Sequence, residues 1–118
     1  MIHQLLIGSA VIAVTVAVQA EMYNLFWHRF ESVVLGCRRL LKRFANTGAI
    51  IIGVLYILLI HTLNVWIWAS VFYFLGAFST FEPSLYFSLV SFTTVGFGDI
   101  TLGPDWRLLS GLTAANGF

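Results

Sequence analysis

From Gly48 to Phe81 the chain carries no aspartate, glutamate, lysine or arginine. About 20 apolar residues suffice to cross a bilayer, so this run predicts a complete and tilted transmembrane helix. Its later half holds Trp66, Trp68 and Tyr73, aromatic residues of the kind that favour the membrane interface. A chain of 118 residues that must house such a helix has room for one domain of two or three spanning segments. Composition agrees, with 9% of residues charged against roughly 25% in soluble domains. The expected class is an all-α membrane protein.

The next helical segment is too short to repeat that span. Gly76 to Phe81 reads as a loop. Pro83 suits the first turn of a helix and Glu82 favours its positive end. Pro83 to Thr93 then reaches only about 16 Å, half of the hydrocarbon core. Non-helical backbone at that depth must be buried in protein or line water. The adjoining stretch, Thr93-Thr94-Val95-Gly96-Phe97-Gly98-Asp99-Ile100, supplies such a return. Backbone that alternates between right- and left-handed angles aims successive carbonyls the same way, and glycine accepts the left-handed half without cost. Thr94, Val95, Gly96 and Phe97 are thus expected to present a ladder of carbonyl oxygens, with the Thr94 hydroxyl at one end.

Thr-Val-Gly-Phe-Gly-Asp resembles the selectivity filter of potassium channels. The resemblance extends from Glu82 to Trp106. Ala69 to Phe118 also looks like a family of small bacterial ion-channel proteins, in which a Trp-Ala pair on the outer helix precedes the pore. It implies a tetrameric pore with a re-entrant pore helix and filter loop, conducting K+ passively and without a cofactor. K+ would be held at Thr94, Val95, Gly96 and Phe97, with Gly98 completing the filter, and Thr93, Asp99, Tyr86 and Val90 would support the filter and its outer mouth. Two departures stand out. Phe97 replaces the commoner tyrosine. Val90 falls where several bacterial channels carry a glutamate that pairs with the aspartate after the filter, which leaves Tyr86, one turn earlier, as the better partner for Asp99.

The remaining segments are read around this core as residues 1–20, 21–47, 48–78, 79–106 and 107–118. Residues 1–20 form a spanning helix or a signal-like segment. Val18-Gln19-Ala20 before Glu21 offers the small residues of a cleavage site, whereas the absence of lysine and arginine from the first four residues favours a retained helix. In residues 21–47, Met22, Phe26, Phe30, Val33, Cys37, Leu40 and Phe44 line one helical face, and Arg38, Arg39, Lys42 and Arg43 occupy another. Such a basic amphipathic helix either lies in the membrane interface, where anionic lipid would meet the four cations, or packs under the pore with a solvated face. Asn46-Thr47-Gly48 is expected to break it. Leu108 to Phe118 opens an inner helix that reaches about 16 Å, half of what a potassium-channel inner helix needs.

Charge placement gives an orientation independent of the motif. Five of the six basic residues (Arg29, Arg38, Arg39, Lys42 and Arg43) lie between the first two apolar segments. The positive-inside rule puts that segment in the cytoplasm of a multi-pass cell-membrane protein and the filter mouth outside. Glu82, Asp99 and Asp105 would then ring the entrance of a homotetramer and concentrate cations there.

Other functions fit less well. Gly96-Phe97-Gly98-Asp99 also matches the Gly-x-Gly-Asp signature of intramembrane aspartyl proteases. That chemistry needs two carboxylates on separate membrane helices, and Asp105 lies in the same loop. A weakly selective cation pore is the nearer alternative. Cys37, the single cysteine, excludes an internal disulfide, and His3, His28 and His61 are too dispersed for a local metal motif. His61 shares a helical face with Asn64. It reads either as a pH sensor or, as expected here, as a neutral imidazole bonded to a neighbouring helix.

Overall fold

The computed structural model describes residues 2–118, with Leu41 described by its backbone alone. Four helices account for most of it: α1 (Ile2–Leu41), α2 (Ala45–Phe74), α3 (Phe81–Phe92) and α4 (Arg107–Gly117), with a single 3₁₀ turn at Lys42–Phe44. No strand occurs among the described residues. Ile2–Leu40 and Lys42–Phe74 are each long and apolar enough to cross a membrane.

Two boundaries differ from the sequence reading. α1 continues without a break through Ala20 and Glu21, where a spanning segment and a separate basic helix were expected. Nothing between them is glycine or proline, so no residue there interrupts the backbone ladder. The helix break falls at Lys42, whose φ is +30°, rather than at Asn46-Thr47-Gly48. Those three residues instead open α2, and Gly48 is buried within it.

The chain divides into two compact units, Ala17–His61 and residues 2–16 with Thr62–Phe118. In the first unit the later part of α1 and the start of α2 form a helical hairpin. Tyr56 donates its hydroxyl to the Met22 carbonyl at 2.6 Å. Its ring stacks on Phe26 with centroids 4.8 Å apart. Met22, Phe26 and Val33 are half-buried and Cys37 is buried, so much of the predicted apolar face is spent inside the hairpin. Phe30, Leu40 and Phe44, assigned to the same face, are exposed. The cations Arg38, Arg39, Lys42 and Arg43 are exposed too.

The second unit holds a core of Val11, Val65, Trp68, Phe72, Phe87, Phe92, Leu102 and Leu109. Val65, Trp68 and Phe72 recur at three- and four-residue steps and turn one face of α2 inward. Phe87 of α3 meets Phe72 edge-on, with centroids 5.4 Å apart and planes at 85°. At its other face α3 packs on α4. An added Cβ at Gly117 would lie 1.7 Å from the Phe92 carbonyl oxygen, so the last residue of α4 must be glycine to touch the end of α3.

Candidate functional site

α3 is 12 residues long, about 18 Å, and cannot cross a bilayer. Glu82 sits in its first turn, where a carboxylate is favoured by the helix dipole. The Ser84 hydroxyl donates to the Ala69 carbonyl of α2 at 2.5 Å and fixes the buried face of α3. At its far end the Thr93 N–H bonds the Leu89 carbonyl at 3.1 Å and the Thr94 N–H bonds the Ser91 carbonyl at 3.0 Å. The Thr93 hydroxyl adds a 2.7 Å bond to the Leu89 carbonyl. The helix therefore closes on its own carbonyls before the chain turns.

Two further bonds bring the chain back along α3. The Gly96 N–H donates to the Val90 carbonyl at 3.2 Å. The Tyr86 hydroxyl donates to Asp99 Oδ2 at 2.8 Å. Residue 96 thus lies beside residue 90, and residue 99 beside residue 86: the descending helix and returning segment run side by side. Bonding to the carboxylate raises the Tyr86 phenol above its ordinary pKa, with desolvation and the negative charge of Asp99 adding smaller pushes in the same direction.

The backbone of the return has a repeating character. Thr94, Gly96 and Gly98 have φ of +62°, +56° and +78°, while Val95 and Phe97 between them do not enter that region. Such alternation turns successive carbonyls to one side. Residues 93–99 are all exposed in the single chain, although Val90, Ser91 and Phe92 just before them are buried. Behind the return is a recess of about 410 Å³, lined among others by Phe87, Ser91, Ile100, Arg107 and Ser110.

Of the residues marked by the sequence, Tyr86 and Asp99 are brought into contact, and Val90 contributes its carbonyl rather than its side chain. Phe97 makes little use of its ring within the chain, where it is 71% exposed. Glu82, Asp99 and Asp105 are all exposed. Asn64 and Trp68 are fully buried, and His61 is half-buried. Sequence reasoning missed Ser84, Gly117 and the left-handed Thr94. The small residues in α3 and α4 were a usable signal for the first two, since close helix contact in membranes selects small side chains. Thr94 gave none, because a β-branched residue is a poor guess for positive φ.

Long apolar helices, a half-length helix and an exposed return paired against it define the class: an all-helical membrane protein with a short helix followed by a returning loop. A family model described as ion channel matches residues 60–118, half of the sequence, and the chain belongs to that ion channel family. The matched region holds the end of α2, α3, the return and α4. No curated protein and no solved structure matches the chain. The family is one of channels rather than enzymes, which leaves the Gly-x-Gly-Asp protease reading without support.

Proposed function

We propose that this chain is one subunit of a potassium-selective channel in which four copies of the return segment surround the ion path. The supporting observation is the alternation of positive φ at Thr94, Gly96 and Gly98 within a run that is exposed throughout. One such ladder offers too few oxygens to replace a hydration shell, whereas four around an axis build stacked cages. K+ would be held by carbonyls of Thr94, Val95, Gly96 and Phe97, with Gly98 ending the ladder and Thr93, Tyr86, Val90 and Asp99 holding it from behind. The chain contributes no catalytic group and no cofactor to this process; the ion moves down its gradient.

The same reading places residues 21–47 in the cytoplasm and the mouth, with Glu82, Asp99 and Asp105, outside the cell membrane. Arg38, Arg39, Lys42 and Arg43, exposed at the end of the α1–α2 hairpin, would meet anionic lipid headgroups at the inner leaflet, about 1 kcal/mol for each cation near the surface. The decisive measurement is the reversal potential under opposed potassium and sodium gradients, with the full product of the gene in planar bilayers. A reversal near the potassium equilibrium potential is expected, together with crosslinking that ends at four subunits. Equal permeability to both ions would replace this reading with a weakly selective cation pore.

A further inference from the structure

Among residues 2–16 the buried positions are Gln4, Gly8, Val11 and Thr15, spaced by four, three and four. That spacing keeps them on one stripe of α1. Each of the four meets, or packs in one core with, α4. The Gln4 Oε1 accepts the Leu108 N–H at 3.0 Å. Leu108 is the second residue of α4, so its amide is one of the donors a helix start leaves unpaired. Trp106, the residue at the cap position, makes no side-chain cap bond. Gln4 therefore caps α4 from another helix.

One turn on, Gly8 is where the two helices come closest. A Cβ there would lie 2.2 Å from Leu112 Cδ1 and 3.3 Å from Leu109 Cδ2. Val11 joins Leu109 in the core. Thr15, fully buried, accepts a 2.9 Å bond from Asn116 Nδ2 and donates to the Ile12 carbonyl at 2.8 Å. Both ends of α4 are thus tied to one stripe by polar bonds, in a setting where unpaired polar groups are costly. A leader removed by cleavage would take the α4 cap with it.

We propose that residues 2–16 are a latch on α4, and that Gln4 and Thr15 are positioning residues for the return segment. α4 links the two: its start lines the recess behind the return through Arg107 and Ser110, and its end touches the Phe92 carbonyl through Gly117. Loosening the latch lets α4 move relative to both. The latch itself stands without the channel reading; its effect on conduction rests on that reading.

The test uses the full chain in lipid nanodiscs with Cys37→Ser. The added Cβ at Gly8 lies 3.4 Å from Leu112 Cβ, close to the ~3.8 Å typical of disulfides. Gly8→Cys with Leu112→Cys also removes the clashing Leu112 Cδ1. An intrachain disulfide is expected under mild oxidation; none, or one formed only between chains, overturns the latch. Hydrogen exchange at the start of α4 should rise roughly fivefold in Gln4→Leu, as for one lost hydrogen bond. Gln4→Glu keeps an acceptor and should exchange like the unaltered chain. A residue that only filled space would tolerate leucine better than glutamate, so the reverse ranking sinks the capping role. Potassium currents should decay at an altered rate in Gln4→Leu and be restored in Gln4→Glu, and unchanged decay in both would remove the positioning role. Crosslinking without any current would keep the latch and count against the channel reading alone.

Discussion

The Tyr86 hydroxyl and the Asp99 carboxylate, 2.8 Å apart, join the middle of α3 to the far end of the return. The phenol must keep its proton to make this bond. Its pKa is raised above 10.0, first by the bond to Asp99. The tie is therefore fully present below the ordinary phenol pKa and is lost as pH climbs through the raised value. Thermal stability measured in detergent across the alkaline range should fall at the upper end. Tyr86→Phe should remove that alkaline component and make potassium currents decay faster. An identical alkaline profile in the variant would assign the transition to another group.

Left-handed backbone gives a second expectation. Among the described residues, nothing beyond the adjacent chain neighbours lies within 4 Å of a Cβ added at Gly76, Gly96 or Gly98, and all three have positive φ. Substitution at any of them thus costs backbone strain alone, about 1–2 kcal/mol per chain. Gly98→Ala should abolish selective conduction, because the strain acts on the ladder itself. Gly76→Ala carries the same strain in the loop after α2 and should lower stability while leaving ion selectivity unchanged. Matching losses of selectivity in both would mean that strain anywhere in the chain, and not the ladder, controls the pore.

Phe97 tests what the single chain lacks. Its ring is 71% exposed, so a new hydroxyl would meet no acceptor on its own α3. Phe97→Tyr should leave the stability of the isolated chain within about 0.5 kcal/mol. In the assembled channel a neighbouring copy would supply the acceptor, and current decay at low external potassium should slow. Equal decay in both proteins at low and high potassium would show that the ring packs without a polar partner.

Much of this arrangement was legible in the sequence because it is local. The long uncharged run, the proline and glutamate at the start of α3 and the alternating glycines each report on a few neighbouring residues. Tyr86 could be named because it lies one turn from Val90 and faces the same way. The α1–α4 seam was not legible. Gly8 and Thr15 sit in an apolar segment, and an apolar helix shows no contrast between the side facing lipid and the side facing protein. The hinge at Lys42 was equally hidden, because Asn-Thr-Gly is as fit to open a helix as to end one.

Orientation needs a different probe from the one the sequence invites. Cys37 is only 6% exposed, so its failure to react would say nothing about sidedness. Leu40 is 85% exposed and Thr101 is exposed as well. In a Cys37→Ser background, impermeant thiol reagents on intact cells should label Thr101→Cys and spare Leu40→Cys until the cells are opened. Labelling of Leu40→Cys from outside would invert the topology and with it the direction of α3.

Two polar-to-apolar substitutions on the α2–α3 side of the core should act with opposite sign. Ser84 is fully buried and its hydroxyl is satisfied by the Ala69 carbonyl at 2.5 Å. Asn64 is equally buried, yet neither its amide nitrogen nor its oxygen has a hydrogen-bond partner among the described residues. The Trp68 Nε1 and the Ser88 hydroxyl are in the same condition. Removing a satisfied bond forfeits its net worth, whereas removing an unsatisfied amide relieves a desolvation penalty. Ser84→Ala should therefore destabilise the protein by about 1 kcal/mol, and Asn64→Leu, which keeps the heavy-atom count and the branch at Cγ, should stabilise it by about 1–3 kcal/mol. Thermal unfolding of both variants in one detergent reads the two signs directly. Destabilisation by Asn64→Leu would mean that the amide is held by a bond it makes only in the membrane or in the assembled channel, and the same measurement on the protein in nanodiscs would then show a larger loss than in detergent.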